Sequence, residues 1–405
     1  MDEFVSRGMA EDVVLSMNSG SSSLKFALFV VREAGPLLLA VGAVERIGIA
    51  NGGAWLQVGK DRREENRPHV DHAAALETAF ALLEKAETRA ATIVGHRVVH
   101  GGALHVEPVR VNDDLVAKLK ALIPLAPLHL PGAIEGILAV SARHPELPQV
   151  ACFDTAFHAS MPERARRLPL PDCFYQEGVR RYGFHGLSYE YVMSTLGPEV
   201  PSRIVIAHLG NGSSLVAVRD GRAIDTTMGC TPAGGILMGT RSGDLDPGVL
   251  VYLMREKKFS VDMLEQLVDR QSGLLAIGGT SDMKTLLERA PEDAQARLAV
   301  AMFGYGVRKA IGGLVAALGG IDLLVFTGGI GEHAAEVRAH ACEGLDSFGI
   351  RLDSERNDRS DEVISANLSA CSVRVVKTNE DLIVARHAFR IVRGSFQGAR
   401  REVDK

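Results

Sequence analysis

Three features of the sequence predict an α/β fold built as two similar domains. The chain has 405 residues, more than one hydrophobic core usually serves. Short β-branched runs alternate with segments of helical periodicity, the pattern of an α/β protein with mixed sheets. A strand, a glycine- and serine-rich turn and a second strand near the N-terminus return about 190 residues later. An internal repeat of so long a period points to duplicated domains facing each other and not to a solenoid.

The elements follow in order. Val13–Met17 reads as a buried strand, Asn18–Ser23 as a turn and Leu24–Val30 as a second strand, together a hairpin. Helical spacing covers 72–88, and Ile93–Val99 reads as a strand. Helices are predicted over 112–122 and 132–143, then a short strand over Val150–Asp154. The second hairpin has strands Arg203–Ala207 and Leu215–Arg219 around the turn His208–Ser214, and Asp220-Gly221 turns the chain into Arg222–Thr227. Gly-Ser-Ser-Leu occurs in both copies, the first with one extra serine. Helices are predicted over 246–256, 260–270 and 294–318. The strand Leu323–Thr327 meets Gly328-Gly329-Ile330-Gly331, and helix resumes at Ala334. The basic tail from Arg390 to Lys405 starts as a helix and frays.

Composition excludes several classes. Apolar residues make up 46% of the chain, enough for sizeable cores. No apolar run reads as long enough to span a bilayer, so no membrane partner is expected. The acidic start from Met1-Asp2-Glu3 to Glu11-Asp12 lacks the basic and apolar regions of a secretory signal and reads as a short leader. The formal net charge is −5, against the basic excess of nucleic-acid binders. The five cysteines, Cys152, Cys173, Cys230, Cys342 and Cys371, contain no C-x-x-C pair. They read as reduced thiols of a cytoplasmic protein, with packing as the role of Cys152 and Cys230.

Both hairpin turns offer backbone N–H groups and hydroxyls, and Lys25 follows the first. Each is a candidate phosphate nest. Neither is a Walker A loop, since that spacing and the following helix are absent.

Nine strings then resemble acetate kinases in family order, over roughly residues 12 to 388. They are Asn18–Lys25, Gly95–Gly102, Ala126–His129, Phe153–His158, Arg181–Gly186, His208–Gly212, Met238–Asp244, Gly329–Glu332 and Thr378–Glu380. The resemblance implies two duplicated actin-like, ribonuclease H-like domains with the nucleotide in a cleft between them. It implies reversible phosphoryl transfer from ATP to acetate, giving acetyl phosphate and ADP, with Mg2+ (or Mn2+) required. It also implies a homodimer. Propionate or butyrate kinases of the same family are the alternative. A non-catalytic nucleotide switch of the wider superfamily is the distant one, and it would have lost Arg97, Arg241 or His185.

The acceptor of such a reaction has a pKa near that of Glu, about 4.3, and needs no general base at neutral pH. The difficulty is an anion approaching a polyanion, so cations and positioned donors do the work. By resemblance, Arg97 and Arg241 hold the carboxylate and the phosphoryl group in flight, where a planar guanidinium grips two oxygens at once. His185 corresponds to the histidine that donates to the phosphoryl during in-line transfer, with a phosphohistidine intermediate as the other reading. His129 and His208 match further phosphate-side donors. Asp154 matches the aspartate beside the transferred group, where it also orients an arginine. Glu380 matches the metal-linked glutamate, and Asn18 orients phosphate or a metal-bound water. Magnesium needs only one or two protein carboxylates. His96 and His100 stand four apart, but on a strand and without H-E-x-x-H, which argues against zinc.

Lys25, Leu209, Gly210, Asn211 and Gly212 are the implied phosphate contacts. Gly329, Ile330, Gly331 and His333 are the adenosine-side loop, opposed by Asp282, Met283 and Lys284. Val99, Leu128, Phe184 and Pro232 are expected around the acyl group, and Val99 narrows that pocket towards acetate. The chain departs from the family at Leu130 and His333, where Asn is common, and at Lys284, where Arg is usual. The expected domains are 1–155 with a return over 389–405, and 156–388.

Overall fold

The computed structural model describes residues 11–394 except Ser21, Glu33, Ala34, Ala50 and Pro198. Most of the leader and the tail beyond Gly394 lie outside the described residues. The chain forms two compact units, Met1–Ala156 with Asn379–Lys405, and Phe157–Thr378. The return into the first unit thus begins ten residues before the expected 389. The helix Glu380–Arg393 is one continuous element packed on the first sheet, so the chain crosses over ahead of it.

The first unit holds eight strands: β1 (Val13–Ser19), β2 (Ser23–Arg32), β3 (Gly35–Glu45), β4 (Gly53–Val58), β5 (Asp61–Glu65), β6 (Ile93–Val98), β7 (Val109–Arg110) and β8 (Gln149–Phe153). Their order is β5-β4-β3-β2-β1-β6-β8-β7. The second unit holds β9 (Arg203–Leu209), β10 (Ser213–Arg219), β11 (Arg222–Thr226), β12 (Leu323–Thr327) and β13 (Ser372–Val375), in the order β11-β10-β9-β12-β13. The duplication is visible in the pairing. In each unit three antiparallel strands are followed across the sheet by two parallel ones, β3-β2-β1-β6-β8 matching β11-β10-β9-β12-β13. This is the actin-like arrangement. The extra pair β4 and β5, unmarked in the sequence by any strong alternation, extends only the first sheet.

Strand period explains how each sheet is covered, since successive side chains point to opposite faces. In β1, Val13, Leu15 and Met17 join a core with Leu76 and Leu82 of the helix His72–Lys85 and Val140 of the helix Leu130–Arg143. The alternate residues face the helix Glu380–Arg393, where the Ser16 hydroxyl donates to Asp381 at 2.8 Å. Gly95 of β6 lies on that face too. A Cβ there would stand 2.6 Å from Cγ1 of Val384, so glycine is what lets this helix lie against the sheet.

In the second unit, Val205, Ala207 and Leu209 of β9 pack with Phe303, Val307 and Ile311 of the helix Ala294–Leu318. Ile204 and Ile206 face Tyr189 and Val192 of the helix Gly186–Thr195. By length and composition the helix Ala294–Leu318 could cross a membrane, which corrects the sequence expectation that no such segment exists. Its apolar face is committed to the core of this unit instead.

The first hairpin's turn is tighter than expected. Asn18 and Ser19 are still in β1, and Gly20 N donates to Ser23 O at 2.8 Å. The segment after β12 also differs. Gly329, Ile330 and Gly331 belong to a six-residue helix, Gly328–His333, and not to a loop.

Candidate active site

In the first unit, the last residues of β1 and β6 on the face of helix Glu380–Arg393 form a polar cluster. Asn18 is the register partner of Lys25, which sets an amide beside an ammonium. Two residues beyond Gly95, Arg97 meets two carboxylates. Its Nε donates to Asp154 at 3.2 and 3.1 Å and its Nη2 to Asp154 Oδ2 at 2.7 Å. Its Nη1 lies 3.2 Å from Glu380 Oε2. Burial disfavours the guanidinium charge, but Asp154 and Glu380 more than offset it and hold its pKa above the ordinary value. Asp154 is buried and Glu380 half-buried. Asp381, which sequence reasoning passed over although it follows Glu380, is drawn into this cluster through Ser16. Burial raises its carboxyl pKa against the opposing hydrogen bond of Ser16 and the charges of Arg97 and Lys25.

Val99 stands just past the end of β6, half-buried, and Leu128 lies in the turn before helix Leu130–Arg143. His129 is the residue immediately ahead of that helix. His96 points to the opposite face from Arg97, bonded to Gln149 at 2.7 Å, and burial lowers its pKa to about 4. His100 Nδ1 accepts from Gly102 N at 2.9 Å. Both histidines have structural partners. Cys152 is buried within β8.

In the second unit, His208 and Ser214 are cross-strand partners facing helix Gly186–Thr195, the counterparts of Asn18 and Lys25 in the repeat. His185 precedes that helix with φ 59°, a left-handed conformation uncommon outside glycine. Its ring stacks on His208, with centroids 4.3 Å apart and planes 18° from parallel. Nδ1 of His185 lies 2.9 Å from the Ser214 hydroxyl, which also bonds Tyr189 Oη. His208 Nδ1 lies 2.8 Å from the Ser188 hydroxyl, itself 2.9 Å from Thr378 Oγ1.

Nε2 of His185 converges with Arg241 on Gly212. A Cβ at Gly212 would lie 3.3 Å from His185 Nε2 and 3.4 Å from Arg241 Nη1. The missing side chain leaves the backbone open between the two donors. Arg241 Nη1 also reaches Pro232 O at 3.3 Å, so Pro232 stands beside it. Phe184 is buried, and its carbonyl is bonded to His158 at 3.0 Å. Burial lowers the His158 pKa to about 4, keeping that ring neutral. Val99 and Leu128 thus belong to one unit, and Phe184 and Pro232 to the other.

Beside Gly210 opens a cavity of about 780 Å3, a size suited to a nucleotide-sized ligand. Gly210, Asn211, Asp282, Met283, Lys284, Gly329, Ile330 and His333 all line it. Ser281, Leu287, Glu288 and Ala334 complete the wall and were missed, because nothing in their local pattern marks them. Asp282 caps the helix Met283–Arg289 through Thr285, whose hydrogen bonds hold the Asp282 carboxyl below its usual range. Leu209 and Gly331 are buried behind the wall, with Leu209 in the core. Gly328 has φ 78°, and a Cβ there would lie 2.7 Å from Leu209 O. Glu332, which closes the string Gly329–Glu332 but was given no role there, accepts from Gly328 N and from Thr378 N, each at 3.1 Å.

Among the described residues no group of three or more His, Cys, Asp and Glu is arranged to hold a metal. The first unit's Asn18 and Glu380 are instead oxygen donors of the kind that suits a hard cation sharing phosphate oxygens and keeping waters.

Comparison with known proteins completes the assignment. The family model described as the acetokinase family matches residues 13–386. An acetate kinase from Sulfurovum sp. (strain NBC37-1) is 41% identical over 394 residues, covering 94% of this chain and 98% of that protein. The crystal structure of Porphyromonas gingivalis acetate kinase superposes with a TM-score of 0.85 at 36% identity, covering 94% of this chain and 100% of that one. A propionate kinase from Francisella tularensis subsp. tularensis SCHU S4 gives 0.88 at 36% identity with the same coverage. Two units of matching topology, a nucleotide-sized cavity and this similarity along nearly the whole chain agree: the chain belongs to the acetokinase family, phosphotransferases that use ATP and act on a carboxyl acceptor.

Proposed function

We propose that the chain interconverts ATP plus acetate with ADP plus acetyl phosphate by direct in-line transfer. The observation that carries this reading is the convergence of His185 Nε2 and Arg241 Nη1 on Gly212, two residues past Gly210 in the turn that borders the cavity. Backbone N–H groups of Asn211 and Gly212 hold phosphate oxygens, while that of Gly210 is spent on closing the turn through Ser213. His185 and Arg241 stabilise charge on the phosphoryl group as it moves, the largest single contribution available to such a reaction. Arg97, oriented by Asp154, grips the acceptor carboxylate with its planar fork. The acceptor is already ionised, so no side chain need act as base.

Magnesium, when bound, neutralises charge on the nucleotide phosphates, and Asn18 and Glu380 would hold it. Lys25 adds a positive charge beside them. Val99, Leu128, Phe184 and Pro232 take the alkyl group. Val99 supports a narrow pocket and hence acetate, although a methylene is worth only about 1–3 kcal/mol there, so some propionate turnover is expected.

The chain's partner is a second copy of itself. The helices Pro247–Glu256 and Val261–Arg270 contain no buried residue, yet carry exposed Val249, Val251, Tyr252, Met254, Val261 and Met263. Helices this short need packing to be stable, and the exposed apolar side chains of these two offer a face that a second copy can cover.

A hydroxylamine trap for acyl phosphate, with ATP and magnesium, tests the reaction. Strong signal from acetate and weaker signal from propionate is the expected result. Preference for propionate or butyrate overturns the pocket assignment but keeps the chemistry. No acyl phosphate from any of the three, with folded protein and bound ATP, overturns the reading.

A further inference from the structure

The repeated Gly-Ser-Ser-Leu string reads in the sequence as a source of hydroxyls for phosphate. In the second unit both serines are used otherwise. Ser213 closes its own turn, its hydroxyl accepting from Gly210 N at 3.1 Å and donating to Gly210 O at 2.9 Å. Ser214 is fully buried. Its hydroxyl sits between His185 Nδ1, at 2.9 Å, and Tyr189 Oη. Phosphate binding at this turn is left to the backbone and to the side chains of other segments.

We propose that Ser214, backed by Tyr189, is the positioning residue for His185. The inference rests on His185 acting on the phosphoryl group as proposed above. An imidazole has two nitrogens, and which one faces the substrate is set by the bond the other makes. Here Ser214 takes Nδ1, and Nε2 is the nitrogen near Gly212 and Arg241. The hydroxyl serves either charge state, donating to a neutral Nδ1 or accepting from Nδ1–H. His208 stacks on one face of the ring, which limits tilt but leaves open the half-turn about Cβ–Cγ, a rotation that keeps the ring plane and exchanges the positions of Nδ1 and Cδ2. The hydrogen bond from Ser214 stops that rotation.

Local backbone makes the restraint necessary. His185 occupies a left-handed conformation at the start of helix Gly186–Thr195, so its ring approaches the sheet from a loop and not from a regular element. Tyr189 lies four residues on, one helical turn away on the same side. Strand alternation sends Ser214 to this face of β10 while Ser213 points to the other. The order Ser213-Ser214 thus separates a turn-closing hydroxyl from a histidine-holding one.

The test is a double-mutant cycle on the full chain, with kcat, both KM values and thermal unfolding measured for S214A, H185A, the double variant and Y189F. S214A is expected to lower kcat about 10- to 100-fold, less than the roughly 100- to 1000-fold loss of a donor that itself touches the transition state, with KM for ATP and acetate within about twofold. In the H185A background, S214A should cost nothing further, because its effect passes through the ring. Y189F should show a smaller loss of the same kind. Unchanged kcat in S214A, or an equal loss with and without His185, overturns the proposal. Unchanged turnover in H185A itself would instead defeat the role given to His185. If S214A unfolds, Y189F carries the test on the same criterion, its loss disappearing in the H185A background.

Discussion

Arg97 and Arg241 carry the same charge but sit in different chemistry. Arg97 is held by a forked bond to Asp154 and by Glu380, so its plane is set before any ligand arrives. Removing it would strand two half-buried or buried carboxylates, a cost to folding as well as to activity. Arg241 contacts Pro232 O and, at 3.8 Å, Met238 Sδ, and its head stands beside Gly212. Arg241→Ala is therefore the cleaner probe. ATP affinity, by titration calorimetry, should stay within about threefold, while kcat falls on the order of 1000-fold, as for loss of a charged transition-state contact. Near-normal turnover would remove Arg241 from the role. The cavity proposed for the nucleotide lies along other residues, from Gly210 to Ser281 and Ile330, which is why binding should survive.

Among the elements, the pair of helices Pro247–Glu256 and Val261–Arg270 carries a prediction of its own. Each has ten residues and neither buries a side chain. Placing a charge in the middle of their apolar face, as Tyr252→Glu, should convert a dimer to a monomer in sedimentation velocity. A variant still dimeric at micromolar concentration would exclude this face as the contact. The glycine helix Gly328–His333 shows the other limit of reading elements. Its Gly-Gly-Ile-Gly string looks like a loop because glycine is a poor helix former. Glu332 bonded to Gly328 N and Arg338 bonded to Gly331 O and Glu332 O hold it helical. Neither partner is predictable from local spacing.

At the scale of the whole molecule, burial favours the neutral form of histidines in both units, most strongly His96 in the first and His158 in the second. The pKa values of His96 and His158 are both lowered to about 4 by burial. The unfolded chain, with histidines near 6.5, binds more protons, so stability rises with pH between about 4 and 6.5. It is fully present above 6.5 and lost on acidification, by about 3 kcal/mol per histidine across that window. Urea unfolding at pH 7 and pH 5 should show the loss, and His96→Gln together with His158→Gln should reduce it. A flat profile in the unsubstituted chain would contradict the assignment.

Much of this was legible beforehand. The two hairpins stand out because a strand, a glycine turn and a strand are local features, and their repetition announced the duplicated sheets. Arg97, His185, Arg241 and Asp154 were singled out because each lies inside a distinctive string. Helix starts such as Asp113 and Val261 follow from an Asn or Ser cap one residue earlier. Strands β3 to β5 were missed, since their pairing partners, and not their own alternation, make them strands.

What the sequence determined by itself is therefore local or chemical: the α/β class, the repeat, the charge balance, and which side chains could handle phosphate and carboxylate. Tertiary structure alone decided which face each of those side chains occupies. It turned Ser214 towards His185, put Asp381 beside Ser16, set Glu288 in the cavity wall and carried the chain back into the first unit at Asn379. These are contacts between residues far apart in the chain. They are fixed by strand register and by the packing of helices on sheets, which no window of neighbouring residues encodes.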